Sequence, residues 1–221
     1  MRAQIQETYT VAFDDIDRDS CLSMNALAKY VQNISIHQGT ELDITSYNNE
    51  ENKTGYYWIL SRVKYILDKE VNWQEQFSLK TYLSGIDKLF VMRECDIEDY
   101  SGRHIGHVIG SYILMDTIKN RPIKVSSMKE SFREQIDFPY SGQKLDKLHL
   151  PKTVRAEEIR KAYYSDLDIN GHMNNVCYIR WIVDILPIEL LKEKRVCSLQ
   201  INYNASIMYN DEVRVIMGIP P

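Results

Sequence analysis

The sequence predicts an α+β chain made of one structural unit laid down twice, each copy a helix packed on an antiparallel sheet. Three observations predict it. A single apolar helical stripe is followed by about four segments whose apolar residues alternate with a period of two. The same order restarts, shortened, near residue 165. Each helix is preceded by an acidic turn with an Asp in the same place, so the copies can be laid over each other.

Residues 4–13 alternate weakly and end in Val11-Ala12-Phe13, a short strand. Asp14-Asp15-Ile16-Asp17-Arg18-Asp19-Ser20 is a polar turn suited to leading into a helix. Met24, Leu27, Ala28, Val31 and Ile34 then fall at helical spacing and give one apolar stripe. A polar loop over residues 39–55 follows, and the period changes after it. Trp58 to Leu67 is rich in β-formers; Phe77, Leu79, Thr81 and Leu83 alternate with polar residues, as do Val108, Gly110, Tyr112 and Leu114. Between the last two lies Leu89 to Ile97, joined onward by a turn at Asp99-Tyr100-Ser101-Gly102.

Residues 117–160 are charged and irregular and read as a connector. Ser165-Asp166-Leu167-Asp168-Ile169-Asn170-Gly171 is the second polar turn. Val176, Ile179, Ile182, Val183 and Leu186 form the second helical stripe, stopped at Pro187. Leu199, Ile201 and Tyr203 alternate as one strand, and Val213, Val215 and Met217 as another. The expected division is residues 1–125, a linker over 126–155, and residues 156–221. With two strands against four, the second half either completes its sheet differently or lacks C-terminal strands. The second explanation is favoured, because a shortened sheet leaves the kind of unpaired edge that proteins avoid exposing.

Composition narrows the function classes. At 221 residues and 44% hydrophobic content the chain can build a substantial core. A net charge of -4 argues against general nucleic-acid binding. No apolar run of about 18 residues suggests a membrane span, and Met1-Arg2-Ala3-Gln4-Ile5-Gln6 lacks the apolar stretch of a signal peptide, so a cytoplasmic location is expected. Cys21, Cys95, Cys177 and Cys197 are scattered without metal-ligand spacing; no metal or organic cofactor is implied.

The overlay of the two halves sets Asp17-Arg18-Asp19-Ser20-Cys21-Leu22-Ser23 on Asp168-Ile169-Asn170-Gly171-His172-Met173-Asn174. The Asp is common to both; Asn170 and His172 are Asp19 and Cys21 in the first copy. Asp168, Asn170 and His172 alternate just before a helix, whose start supplies N–H groups and partial positive charge for a polarised carbonyl. His172 is a natural proton carrier near neutral pH, Asp168 could orient it, and Asn170 could donate to a polarised carbonyl. The residues alone leave a second reading open: Asp and Asn before a helix are ordinary turn and capping residues, and a single His beside them is commonly a polar bystander.

The run Ser165-Asp166-Leu167-Asp168-Ile169-Asn170-Gly171-His172-Met173-Asn174-Asn175-Val176-Cys177-Tyr178-Ile179-Arg180-Trp181 closely resembles the signature of acyl-ACP thioesterases. Trp58-Ile59-Leu60-Ser61-Arg62, Thr81-Tyr82, Arg93 and Ser111-Tyr112 are similar to further positions of that family. The resemblance covers essentially the whole chain. It implies a tandem hotdog fold, in which each of two domains wraps an antiparallel sheet around a helix, the first binding the acyl chain and the second carrying the chemistry. It also implies hydrolysis of acyl-ACP to free fatty acid and holo-ACP, ending fatty acid synthesis, with Asp168, Asn170 and His172 as catalytic residues.

The family pattern places an acidic residue, followed in plant members by a Cys, on a strand after the second helix. Here that region is Tyr203-Asn204-Ala205-Ser206-Ile207-Met208, with Ser206 in the nearest position. Cys177 lies on the helix and is no obvious replacement, so direct attack by water is expected. The resemblance further implies an acyl tunnel beside Met24, Leu27 and Val31 of the first helix, with Trp58 and the Tyr56-Tyr57 pair as lining candidates. The partner would be acyl carrier protein through its phosphopantetheine-linked chain, received by Lys119, Arg121 and Lys124 or by Lys152, Arg155, Arg160 and Lys161. The protein would be a monomer or homodimer, with no nucleic acid or membrane partner. Two rival readings are a hotdog hydrolase of acyl-CoA and a non-catalytic acyl-binding protein that kept the fold.

Overall fold

The strand segments read from alternation assemble, in a computed structural model of the chain, around a helix whose apolar stripe matches them. Residues 4–42, 55–127, 134, 136 and 142–219 are described. By its contacts the chain divides into two units, Met1–Leu145 with Cys197–Asn202 and Asp146–Val196 with Tyr203–Pro221.

The first unit contains β1 (Gln4–Thr10), α1 (Met24–Glu41), β2 (Tyr56–Leu67), β3 (Gln76–Asp87), β4 (Phe90–Asp99), β5 (His104–Asp116) and β7 (Ser198–Asn202). Its sheet is antiparallel throughout, in the order β1-β3-β4-β5-β2-β7. Helix α1 starts at Ser23, whose side chain accepts from the Ala26 N–H. It buries Met24, Leu27, Ala28, Val31 and Ile34 and packs on β1 and β3. Phe77, Leu79, Ile97, Ile109 and Leu114 are fully enclosed; each such side chain contributes about 1.5–3 kcal/mol.

A polar lock ties the last turns of α1 to the sheet. The Gln38 amide donates to the Thr81 carbonyl at 3.1 Å, and Arg93 donates to the Gln38 side-chain oxygen and to Thr81 Oγ1 at 3.3 Å. Thr81 Oγ1 donates to the Glu94 carbonyl, and the Arg93 guanidinium lies over the Tyr112 ring. The scattered positions Thr81, Arg93 and Tyr112 therefore meet in one buried network, which a charge out of water requires.

The second unit contains β6 (Thr153–Lys161), α2 (Asn175–Asp184), α3 (Ile188–Glu193) and β8 (Glu212–Ile219). β6 and β8 pair antiparallel as a two-stranded sheet. Ala162, Met173 and Trp181 form its core, with Cys177, Tyr178, Ile207, Val213 and Val215 packed around them.

Four expectations are corrected. The connector read over 117–160 ends in strand β6, hidden because a register shift between Val154 and Ala156 breaks the alternation and because most of the strand is exposed and charged. Leu199 and Ile201 do form a strand, but β7 pairs with β2 and extends the first unit's sheet; Tyr203 lies beyond it. The second helix ends at Asp184, and Pro187 caps a new short helix after it. The loop expected from residue 39 begins later, since α1 runs to Glu41; residues 43–54 of that loop lie outside the described residues.

Candidate active site

Three locally specified pieces hold the segment around Asp168. The first is a 3₁₀ turn, Tyr164–Asp166, whose buried Asp166 accepts from the Tyr163 N–H at 3.0 Å and is ion-paired to Arg180 of α2. The second is a bridge between Leu167 and Met173 that closes a loop over 168–172, with the Asp168 N–H donating to the His172 carbonyl at 2.7 Å. The third is Asn174, which caps α2 by accepting from the Val176 N–H at 3.0 Å.

Inside the loop, Asp168 Oδ1 accepts from the backbone N–H of Asn170 at 2.8 Å and of His172 at 3.2 Å. Gly171 takes φ +74° to complete the turn. One tight turn thus gathers Asp168, Asn170 and His172, with Asp168 half-buried and the other two exposed. Among the described residues no hydrogen bond joins the Asp168 carboxylate to the His172 ring; the carboxylate binds main-chain N–H groups instead. Of the helix-start N–H groups, those of Val176 and Cys177 are already taken by Asn174.

The segment that follows β7 runs beside this turn. His172 is bridged to Met208, and the Met173 N–H donates to the Ile207 carbonyl at 2.8 Å. Tyr203 Oη donates to the Asn175 carbonyl at 3.0 Å, Tyr178 Oη donates to the Ala205 carbonyl, and the two rings meet edge to face. Ser206 is exposed on this segment. Cys177 packs into the core of the unit, and burial raises its thiol pKa, which keeps it protonated and a poor nucleophile.

A groove of about 420 Å³ adjoins the Asp166–Arg180 pair and is lined by Arg160, Tyr163, Ser165 and Trp181; Asp168, Asn170 and His172 do not line it. Arg160 is engaged there with Glu158 and Asp184 and lies over the Trp181 ring.

The residues expected to line an acyl tunnel do not fall together. Met24, Leu27 and Val31 are buried along the first half of α1. Trp58 packs against Leu42, Leu83, Val91 and Val125. At 1.5 Å per helical residue, Val31 stands about 16 Å along the axis from Leu42.

Sequence reasoning missed the Asp166–Arg180 pair and the tyrosine staple. The pair had a signal: in the first copy Asp15 binds Lys29, and both pairs are separated by 14 residues. The staple had none, since Tyr203 is brought to Asn175 only by the path of the chain after β7.

Residues 2–135 match the family model described as acyl-ACP thioesterase N-terminal domain, and residues 151–219 match that of the C-terminal domain. A chloroplastic acyl-[acyl-carrier-protein] hydrolase of Cuphea viscosissima is 25% identical over 98% of this chain and 55% of its own length. A chloroplastic palmitoyl-acyl carrier protein thioesterase of Arabidopsis thaliana is 23% identical over 90% of this chain and 51% of its own. The chain thus spans about half the length of these curated relatives. Among solved structures, an acyl-ACP thioesterase from Bacteroides thetaiotaomicron superposes with a TM-score of 0.83 at 25% identity, covering 95% of this chain and 84% of that one. A 12:0-ACP thioesterase from Umbellularia californica, at 16% identity, shares the fold with a TM-score of 0.83 over 100% of this chain and 89% of its own.

Proposed function

This chain belongs to the acyl-ACP thioesterase family, and from that premise we propose that it hydrolyses acyl-ACP thioesters to free fatty acid and holo-ACP. The observation that carries the proposal is the contrast at one turn position: His172 is exposed at the start of α2, whereas its counterpart Cys21 is buried.

His172 acts as the general base that draws a proton from the attacking water and returns it to the leaving thiolate. Asn170, projecting from the same turn, donates to the thioester oxygen as negative charge builds on it. Asp168 is a positioning residue: its Oδ1 grips the N–H groups of Asn170 and His172 and fixes the backbone that carries both side chains. A raised Cys177 pKa and the lack of a Cys, Asp or Glu over 203–208 favour water over a covalent intermediate.

In this reading the first domain holds the acyl chain. A pocket of about 580 Å³ lined by Ile86, Leu89, Lys124 and Val125 supports that assignment, since Val125 packs in the cluster that Trp58 covers. Met24, Leu27 and Val31 would then serve as core and Trp58 as the lining residue. Lys124 at that pocket favours the patch Lys119, Arg121 and Lys124 for carrier docking. The four cysteines are free thiols, in keeping with the reducing cytoplasm as the working compartment. No described helix is long and apolar enough to cross a membrane.

The test is thiol release from a panel of acyl-ACP and acyl-CoA thioesters of graded chain length, for the native chain and for His172→Ala. Turnover of carrier-protein substrates that collapses in the variant supports the proposal. Turnover of CoA esters alone would move the assignment to an acyl-CoA hydrolase. Acyl binding with no turnover would make this a binding protein.

A further inference from the structure

We propose that the face of the β4–β5 pair turned away from α1 binds a divalent ion of the zinc class through Asp96, His104 and His107. Arg93 of β4 reaches α1 through Gln38, so Asp96, three residues on, projects from the opposite face. In the strand register Asp96 stands directly opposite His107. Two histidines three residues apart on a regular strand would point to opposite faces. Here the register slips: Ile97 pairs with Gly106 but Glu98 pairs with His104, leaving Ile105 as an extra residue. This bulge turns His104 onto the His107 face, and the two rings lie 6.5 Å apart, tilted by 32°.

The donors converge. His107 Nδ1 is 3.0 Å and His104 Nε2 3.9 Å from the same oxygen, Asp96 Oδ1. All three donor atoms lie within 4.8 Å of one another. Around a tetrahedral zinc with bonds near 2.0–2.1 Å, donors stand about 3.3 Å apart, so the adjustment required is at most about 1.5 Å. His104, with 55% of its side chain exposed, is free to make it.

The surroundings resemble a supporting shell. Buried Glu94 places Oε2 3.1 Å from His107 Nε2, on the far side of the ring from Asp96, as a carboxylate that orients a metal-bound imidazole does. Tyr82 Oη donates to Asp96 Oδ2 at 3.3 Å, which leaves Oδ1 facing the imidazoles. Two imidazole nitrogens and one carboxylate, with solvent for the fourth position, suit Zn²⁺ better than Mg²⁺ or Ca²⁺. The competitor for the same place is a proton. Burial alone would lower the His107 pKa, but hydrogen bonding to Asp96 and Glu94 outweighs it and pushes the value up to about 9.

The test is calorimetric titration of the untagged, chelator-treated full chain with Zn²⁺, together with the visible spectrum of the Co²⁺ form. One saturable site is expected, with a higher Tm on loading. His104→Ala should weaken binding about tenfold or more and erase the cobalt bands. His104 is exposed, so this variant keeps its fold without metal, and His149→Ala controls for stray surface binding. No saturable uptake at micromolar Zn²⁺, or uptake unchanged in His104→Ala, would overturn the proposal and leave the cluster as a proton-sharing network.

Discussion

The two turns that precede α1 and α2 are nearly the same object, and the few places where they differ include the residues proposed to carry the chemistry. Asp17 Oδ1 accepts from the N–H groups of Asp19 and Cys21, as Asp168 Oδ1 does from those of Asn170 and His172. Ser20 takes φ +62° where Gly171 takes +74°. Ile16 bridges Leu22 as Leu167 bridges Met173, and Cys21 bridges Asn72 as His172 bridges Met208. The Asn72 N–H donates to Glu75 as the Met208 N–H donates to Asp211. What changes is that Cys21 is buried while His172 is exposed, and that Asp15 is held by Lys29 and Tyr30 while Asp166 is held by Arg180. An Asp that makes the same turn in a copy lacking the His is a structural requirement first; the imidazole and the amide at the other two positions are what the second copy adds.

This comparison can be broken most sharply at the position where His172 replaces Cys21. His172→Ala should lower acyl-ACP hydrolysis by roughly a hundredfold, about 2.7 kcal/mol of transition-state stabilisation, while Cys21→Ala stays within a few-fold of native turnover. Equal losses from both substitutions, read as thiol release, would end the assignment of chemistry to the second turn.

Next in size is the buried carboxylate. Asp15→Asn and Asp166→Asn should each cost about 1–3 kcal/mol in denaturant unfolding. Burial pulls the Asp15 pKa upward, but the bonds from Lys29 and Tyr30 outweigh it and leave the carboxyl below its ordinary value. A depressed folded pKa stabilises above the unfolded value and is lost as pH falls through the folded one. Asp15→Asn should therefore flatten the acid limb of stability below about pH 4; an unchanged limb would remove Asp15 from that role.

The shared turn predicts a matched pair. Asp17→Ala and Asp168→Ala each strip the acceptor from two backbone N–H groups and should each cost about 1–2 kcal/mol. Only the second should also reduce turnover, since it loosens the backbone that carries Asn170 and His172. The smallest effect concerns the left-handed residue: Gly171→Ala should destabilise by about 1 kcal/mol and Ser20→Gly should change stability by less. A Tm series on the two variants checks the order.

Much of this was legible in the sequence because the relevant signals are local. The period-two alternation of Phe77, Leu79, Thr81 and Leu83 is a strand at the places expected, and the overlay of Asp17 on Asp168 holds down to single hydrogen bonds. The tandem hotdog fold was implied by the resemblance of the 165–181 run and is shared by the Bacteroides thetaiotaomicron thioesterase. What escaped depends on register. β6 was lost because its bulge at Val154 cancels alternation. His104 and His107 look like residues of opposite faces until the slip at Ile105 is known. The segment that faces His172 is specified by where β7 docks, and nothing in Leu199 or Ile201 names β2 as the partner strand. Trp58 sits with Leu42 and Val125 rather than beside Val31, because spacing along α1 says nothing about which strand end lies over which turn.

The path of β7 has a consequence for synthesis. The first unit is discontinuous, and the flank of β2 from Arg62 to Ile66 receives its partner only from residues 198–202. A ribosome therefore releases the bulk of that unit long before its last strand exists, and a nascent chain paused between those points presents a bare row of amides and carbonyls. Translation speed through the intervening residues, and the holdase capacity of the host, then govern how much of the protein reaches its native state and how much is lost to association between unfinished chains.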